Sequence, residues 1–206
     1  MAATLAYRDW CCRFDPPNVM TADENLALLF AGSGRHDEAI PVLQRVHAAK
    51  KMGPRGSEGR QCVLTLINLS GSLVLAKRYA EAIQLLNEER PAACRGLGED
   101  HSLCLMLADG LGRALFHHAV QSGDQTELLA GGAVLRDVIL RSRKVLGSEH
   151  PLTHERETQF VRILEALEKS SDCDADILKT LCSGILKEDS VRVYEPRFRP
   201  GPCKFF

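Results

Sequence analysis

A chain of 206 residues is long enough to bury the core of one domain or of a short repeat array, and it does not require two domains. Its 26 basic and 27 acidic side chains leave a formal charge of -1, which argues against a general attraction to nucleic acid or anionic lipid. Aromatic residues make up only 5 % while Leu and Ala are abundant, so helices packed through aliphatic ridges are expected rather than β-sandwiches.

From the N-terminus, residues 3–14 read as one helix with Trp10 and Phe14 on the same side, stopped by Asp15-Pro16-Pro17 and placed to cap the first unit of a repeat. Gly34-Arg-His-Asp-Glu-Ala-Ile40 is echoed 43 residues later by Lys77-Arg-Tyr-Ala-Glu-Ala-Ile83, and the same offset links Asn25-Leu26 to Asn68-Leu69. Each of these Asn residues stands 14 residues before the Ala of its Glu-Ala, a distance suited to a helix, a tight turn and the start of a second helix. Ala39 and Ala82 are small where the two helices of a pair are expected to cross, with Gly131 in the matching place of a third unit. Leu26, Leu29, Leu43 and Val46 form the stripe expected in the core.

A second echo joins Leu97-Gly98-Glu99-Asp100-His101 to Leu146-Gly147-Ser148-Glu149-His150-Pro151, where Gly ends one helix and the next begins. Counting eight residues on from each His makes Asp109 and Thr158 the counterparts of Asn25 and Asn68. The third unit is then about eight residues longer than the second, and the extra length is expected as a widened turn near Gln121 to Gln125. Residues 153–169 and 174–187 read as a last pair of helices, and 189–206 as an extended or disordered tail.

Chemistry-bearing motifs are sparse. The eight cysteines (Cys11, Cys12, Cys62, Cys94, Cys104, Cys173, Cys182, Cys203) are scattered without paired Cys-x-x-Cys spacing, so reduced, packed thiols are expected and no metal site or other cofactor. His117-His118 are adjacent, and on a helix their side chains diverge too far to chelate one ion. Glu88-Glu89 fall where a solvated helix face is expected, and no phosphate-cradling loop, Gly-x-Ser-x-Gly or His-Glu-x-x-His occurs. An enzyme is therefore not expected, with a hydrolase using Cys or His chemistry as the minor alternative. Cys203, fourth from the end in Cys203-Lys204-Phe205-Phe206, occupies the position that prenyl transfer requires, although Phe205 is atypical there.

The repeats resemble the tetratricopeptide units of the kinesin light chain class, which end in Leu-Gly-x-x-His-Pro-x-Thr. Leu146 to Thr153 fits that ending, Leu97 to His101 keeps its first half with Ser102 in place of Pro, and the first unit has lost it. The resemblance spans about residues 15–165. It implies an all-α fold, a short right-handed solenoid of antiparallel helix pairs over residues 1–188, with units near 18–60, 61–101 and 102–150 and a partial unit at 151–188.

In such arrays the first helices line a concave groove and an Asn there hydrogen-bonds an extended peptide, a role that falls on Asn25 and Asn68; helix capping or internal bonding by these amides remains the other reading. The function expected is a non-enzymatic scaffold that binds a protein or peptide partner, not nucleic acid. The alternative is an adaptor tethered to membrane through a lipidated Cys203. With no leader or long apolar segment in view, a cytoplasmic location is expected, and the small number of units leaves self-association open.

Overall fold

The computed structural model describes residues 16–53 and 56–169. The helix expected at 3–14, the helix expected at 174–187 and the tail with Cys203 lie outside them. The described residues form seven α-helices: α1 (Pro16–Gly32), α2 (His36–Lys51), α3 (Arg60–Leu75), α4 (Tyr79–Leu97), α5 (Ser102–Ser122), α6 (Gln125–Leu146) and α7 (Pro151–Lys169), with a single 3-10 turn at Gly56–Glu58. The all-α reading holds. Among the described residues, no helix is long and apolar enough to cross a membrane.

The 43-residue echo is a repeat of backbone geometry. Gly34 and Lys77 both adopt positive φ, 74° and 62°, and Lys77 is the one non-glycine residue among those described to do so. The next amide turns back five residues in both loops, Arg35 N–H to Phe30 O and Arg78 N–H to Leu73 O, each at 2.9 Å. Each arginine then clasps the glutamate three residues on, Glu38 or Glu81, at the start of the second helix.

The second echo is a capping device. Gly98 and Gly147 leave α4 and α6 at φ 92° and 94°, where a side chain would be strained. Three residues later, His101 Nδ1 accepts from Leu103 N–H at 3.1 Å and His150 Nδ1 accepts from Leu152 N–H at 3.2 Å, satisfying an amide that the first turn leaves open. His101→Ala and His150→Ala are each expected to lower stability by about 1 kcal/mol, read as a shift of about 2–4 °C in thermal melts.

Three expectations need correction. The extra length of the third unit does not widen a turn: it extends α5 to Ser122 and α6 back to Gln125, leaving Gly123 and Asp124 between them. So short a turn works because Gly123 takes the left-handed conformation, φ 74°, and the Asp124 carboxylate accepts from Thr126 and Glu127 N–H. Leu29 is exposed, whereas Leu26, Leu43 and Val46 are buried; Ala27 and Phe30 complete the α1 stripe. Glu89 is not on a solvated face, since it is only 9 % exposed.

The core follows chain order. Leu26, Ile40, Leu43, Leu73 and Ala82 join α1 through α4. Leu66, Leu86 and Leu107 join α3 through α5, and Phe116, Leu135, Ile139, Phe160 and Leu164 join α5 through α7. Helix α5 is buried along most of its length and sits against α3, α4 and α6. The first helices α1, α3 and α5 touch in succession, while no Cα of α2, α4 or α6 comes within 8 Å of one in another of these three, although side chains of α2 and α4 do meet. That succession breaks at the end: no Cα of α7 comes within 8 Å of one in α5.

Candidate functional site

The gap between α5 and α7 is bridged by side chains. It forms a cleft of about 180 Å³ with Ile67, Ser70 and Gly71 of α3 on one wall, Met106, Asp109 and Arg113 of α5 along its length, and Glu155, Arg156 and Gln159 of α7 opposite. Helix α7 packs against α6 and not against α5. Each helix contributes residues three or four apart, which share one face.

Helix caps set the register of this face. Asn68 stands nine residues after Gly59, the extended residue that precedes α3. His101 has the same role before α5, and His150 caps α7. Nine residues beyond them are Gly110 and Gln159, so these, and not Asp109 and Thr158, are the structural counterparts of Asn68. By this register an amide recurs in α3 and α7, and Asn25 of α1 matches Asn68 through the 43-residue spacing of the Gly34 and Lys77 turns. Asn25 is exposed and Asn68 half-buried, and neither borders the cleft, although the neighbours of Asn68, Ile67 and Gly71, do. Cys203 lies outside the described residues.

The polar groups of the cleft are linked. Arg113 Nη1 donates to Gln159 Oε1 at 3.2 Å, and Gln159 Nε2 donates to Glu155 Oε1 at 3.2 Å. Arg113 Nε is buried, and no acceptor among the described residues bonds it; the nearer Asp109 oxygen is 3.8 Å away, beyond hydrogen-bond range. Arg156, 7 % exposed, donates to Ser142 Oγ at 2.6 Å, and Ser142 donates in turn to Val138 O.

Burial pushes the Asp109 carboxyl above its ordinary range, against the opposing pull of Arg113 and Arg156. A raised carboxyl pKa means that the folded chain holds the proton more tightly than the unfolded one. The Asp109 contribution is therefore most favourable at low pH and is lost as pH rises from 3.8 through the folded value. Asp109→Asn is expected to raise stability at neutral pH and to flatten that decline, as followed by urea melts across the range.

A second constellation was invisible in sequence. Cys62 Sγ lies 3.5 Å from His47 Nδ1, and His47 Nε2 lies 4.0 Å from Glu89 Oε2. Glu89 also holds Lys51 and accepts from Ser57. A Cys-His-carboxylate order resembles nucleophile activation, yet all three side chains are buried. Burial, then Glu89, raises the Cys62 thiol, while burial lowers His47, so both favour the neutral form. The arrangement packs α2, α3 and α4 together.

Cys62 also borders a larger cavity of about 770 Å³ between α1, α2 and α3, beside Met20, Thr21 and Arg60. The Lys50 and Glu24 groups in its wall are paired with each other and with Thr65. His117 stacks on Tyr79 and His118 meets Glu127, so the adjacent histidines face different neighbours. Among the described residues, no group of three His, Cys, Asp or Glu could hold a metal ion.

Compared with protein-family models and with curated proteins, the chain matches none.

Proposed function

We propose that this chain is a non-enzymatic interaction module of the helical-repeat kind, a short right-handed solenoid of antiparallel helix pairs that holds an extended segment of a partner protein in the cytoplasm. The observation that carries this reading is the cleft between α5 and α7, on the face where an amide recurs. The repeated loop and capping geometry supports the repeat, and the contact of α1 with α3 and of α3 with α5 supports stacking through first helices.

Along that face Leu28 and Met106 are exposed at 47 % and 38 %, and Leu64, Ile67 and Asn68 are half-buried. Apolar surface with interspersed amides suits an extended chain, which needs pockets for side chains and donor–acceptor partners for its backbone. Gly71 lies in the middle of α3, where glycine costs about 1 kcal/mol relative to alanine, and a Cβ there would meet nothing within 4 Å. Nothing inside the described fold requires the missing side chain, and the open space leaves room for a partner to approach.

The test is site-specific photo-crosslinking in cells, with the reactive residue placed at Asn68, at Met106 or at Leu140, an exposed position on α6. The expected result is that Asn68 and Met106 crosslink one common partner at sites within a single continuous stretch of its chain, while Leu140 does not. Equal crosslinking from Leu140, or none from the first-helix face, would overturn the reading.

A further inference from the structure

The cleft is small. At about 180 Å³ it falls below the roughly 300–1,000 Å³ of small-molecule sites. It matches the bulk volume of about six waters at roughly 30 Å³ each, the scale of one side chain and not of a passing peptide.

The groups around it specify what that side chain must carry. Arg113 Nε is a buried donor with no acceptor among the described residues, and Asp109 faces it as an ion-pair partner beyond hydrogen-bond range. The two are too far apart to bond each other, at 3.8 Å, yet close enough for one ligand group to bridge. Gln159 already provides an internal example: its carboxamide accepts from Arg113 through oxygen and donates to Glu155 through nitrogen.

Charge narrows the choice further. Arg113 and Arg156 are matched by Asp109 and Glu155 among the residues bordering the cleft. An entering carboxylate would add a third negative charge beside Asp109 and Glu155, and an ammonium would meet two guanidinium groups. An apolar side chain would leave Arg113 Nε desolvated and unpaired. A hydroxyl could reach both atoms only from one oxygen at an angle of about 80°, well inside the tetrahedral directions of its hydrogen and lone pairs, whereas the two polar atoms of an amide can meet them side by side.

We propose that the cleft is a carboxamide subsite, in which Arg113 Nε donates to the oxygen and Asp109 accepts from the nitrogen of one asparagine or glutamine side chain in the bound segment. This rests on the groove reading above and names what the groove selects. The open space over Gly71 supplies the way in.

The experiment titrates the full chain with terminally blocked glutamine, and separately with blocked glutamate, at pH 7, following the Arg113 Nε–H and Gly110 backbone N–H resonances by 1H–15N NMR. Blocked glutamine is expected to give saturable shifts at both resonances and to bind about tenfold more tightly than blocked glutamate. In Asp109→Asn the preference should collapse, because the repelling charge is gone. Arg113→Lys should bind neither, since it keeps a charge but lacks the Nε fork; dispersed spectra verify that each variant is folded.

Equal or tighter binding of glutamate, or no saturable shift at these resonances, would overturn the subsite. Failure is separable from that of the groove. Crosslinks from Asn68 and Met106 without glutamine binding leave the groove and remove the subsite; glutamine binding without those crosslinks does the reverse.

Discussion

Gly131→Ala is expected to destabilise the protein by about 2 kcal/mol, lowering the melting temperature by about 4–8 °C, although alanine is ordinarily the better helix former. A Cβ at Gly131 would lie 2.8 Å from the backbone nitrogen of Phe116 and 3.1 Å from Gly112 O. Neither atom can move without shifting α5 as a whole. The contact is reciprocal, because a Cβ on Gly112 would lie 2.8 Å from Leu135 Cγ.

The matched control is Gly71→Ala, where a Cβ meets nothing within 4 Å. There the helix propensity acts alone, and about 1 kcal/mol of added stability is expected. The same chemical change should therefore have opposite signs at two helix-interior sites. If both variants melt higher than the parent, the close approach of α5 and α6 is wrong.

Removal of Arg156 should be the costliest change in the cleft. Arg156→Ala is expected to lose about 3 kcal/mol, because it leaves Asp109 buried with weaker compensation and empties packed space beside Ser142. Burial already lowers the Arg156 guanidinium from its ordinary value, while Asp109 and Glu155 oppose that loss, so the charge is retained through its surroundings. Arg156→Met keeps most of the aliphatic stem and should lose less. Adding Asp109→Asn to Arg156→Met should recover part of the remainder, since the uncompensated carboxylate is then gone. Denaturant melts of the two single variants and the double measure the coupling; strict additivity would mean that the two residues do not interact.

Much of the architecture is written locally. The 43-residue echo fixes a positive-φ residue, an arginine and a glutamate in order, and those three suffice to build the same turn twice, at Gly34 and Lys77. Leu-Gly-x-x-His likewise encodes a stop and a cap, so its structural meaning follows from hydrogen bonds that reach no further than two residues beyond the histidine. The small residues at Ala39, Ala82 and Gly131 announced helix crossings because close backbone approach tolerates little else.

The cleft was less legible. Counting from the histidines placed Asp109 and Thr158 one residue away from the true counterparts of Asn68, and one residue turns a side chain by about 100° on a helix. Gln159 could have been found by continuing the amide series; Arg113 and Arg156 could not, because their importance comes from partners 46 and 14 residues away. Cys62, His47 and Glu89 are likewise 15 residues or more apart and meet only when α2, α3 and α4 pack.

By itself, then, the sequence determined the order of the described helices and the repeated turns and caps at Gly34, Lys77, Gly98 and Gly147, which depend on contacts within a few residues, whereas the length of α5 and α6 was not read from it. Tertiary structure alone decided which polar groups share the gap beside α7, because a gap is a property of how long helices diverge and no short segment contains it.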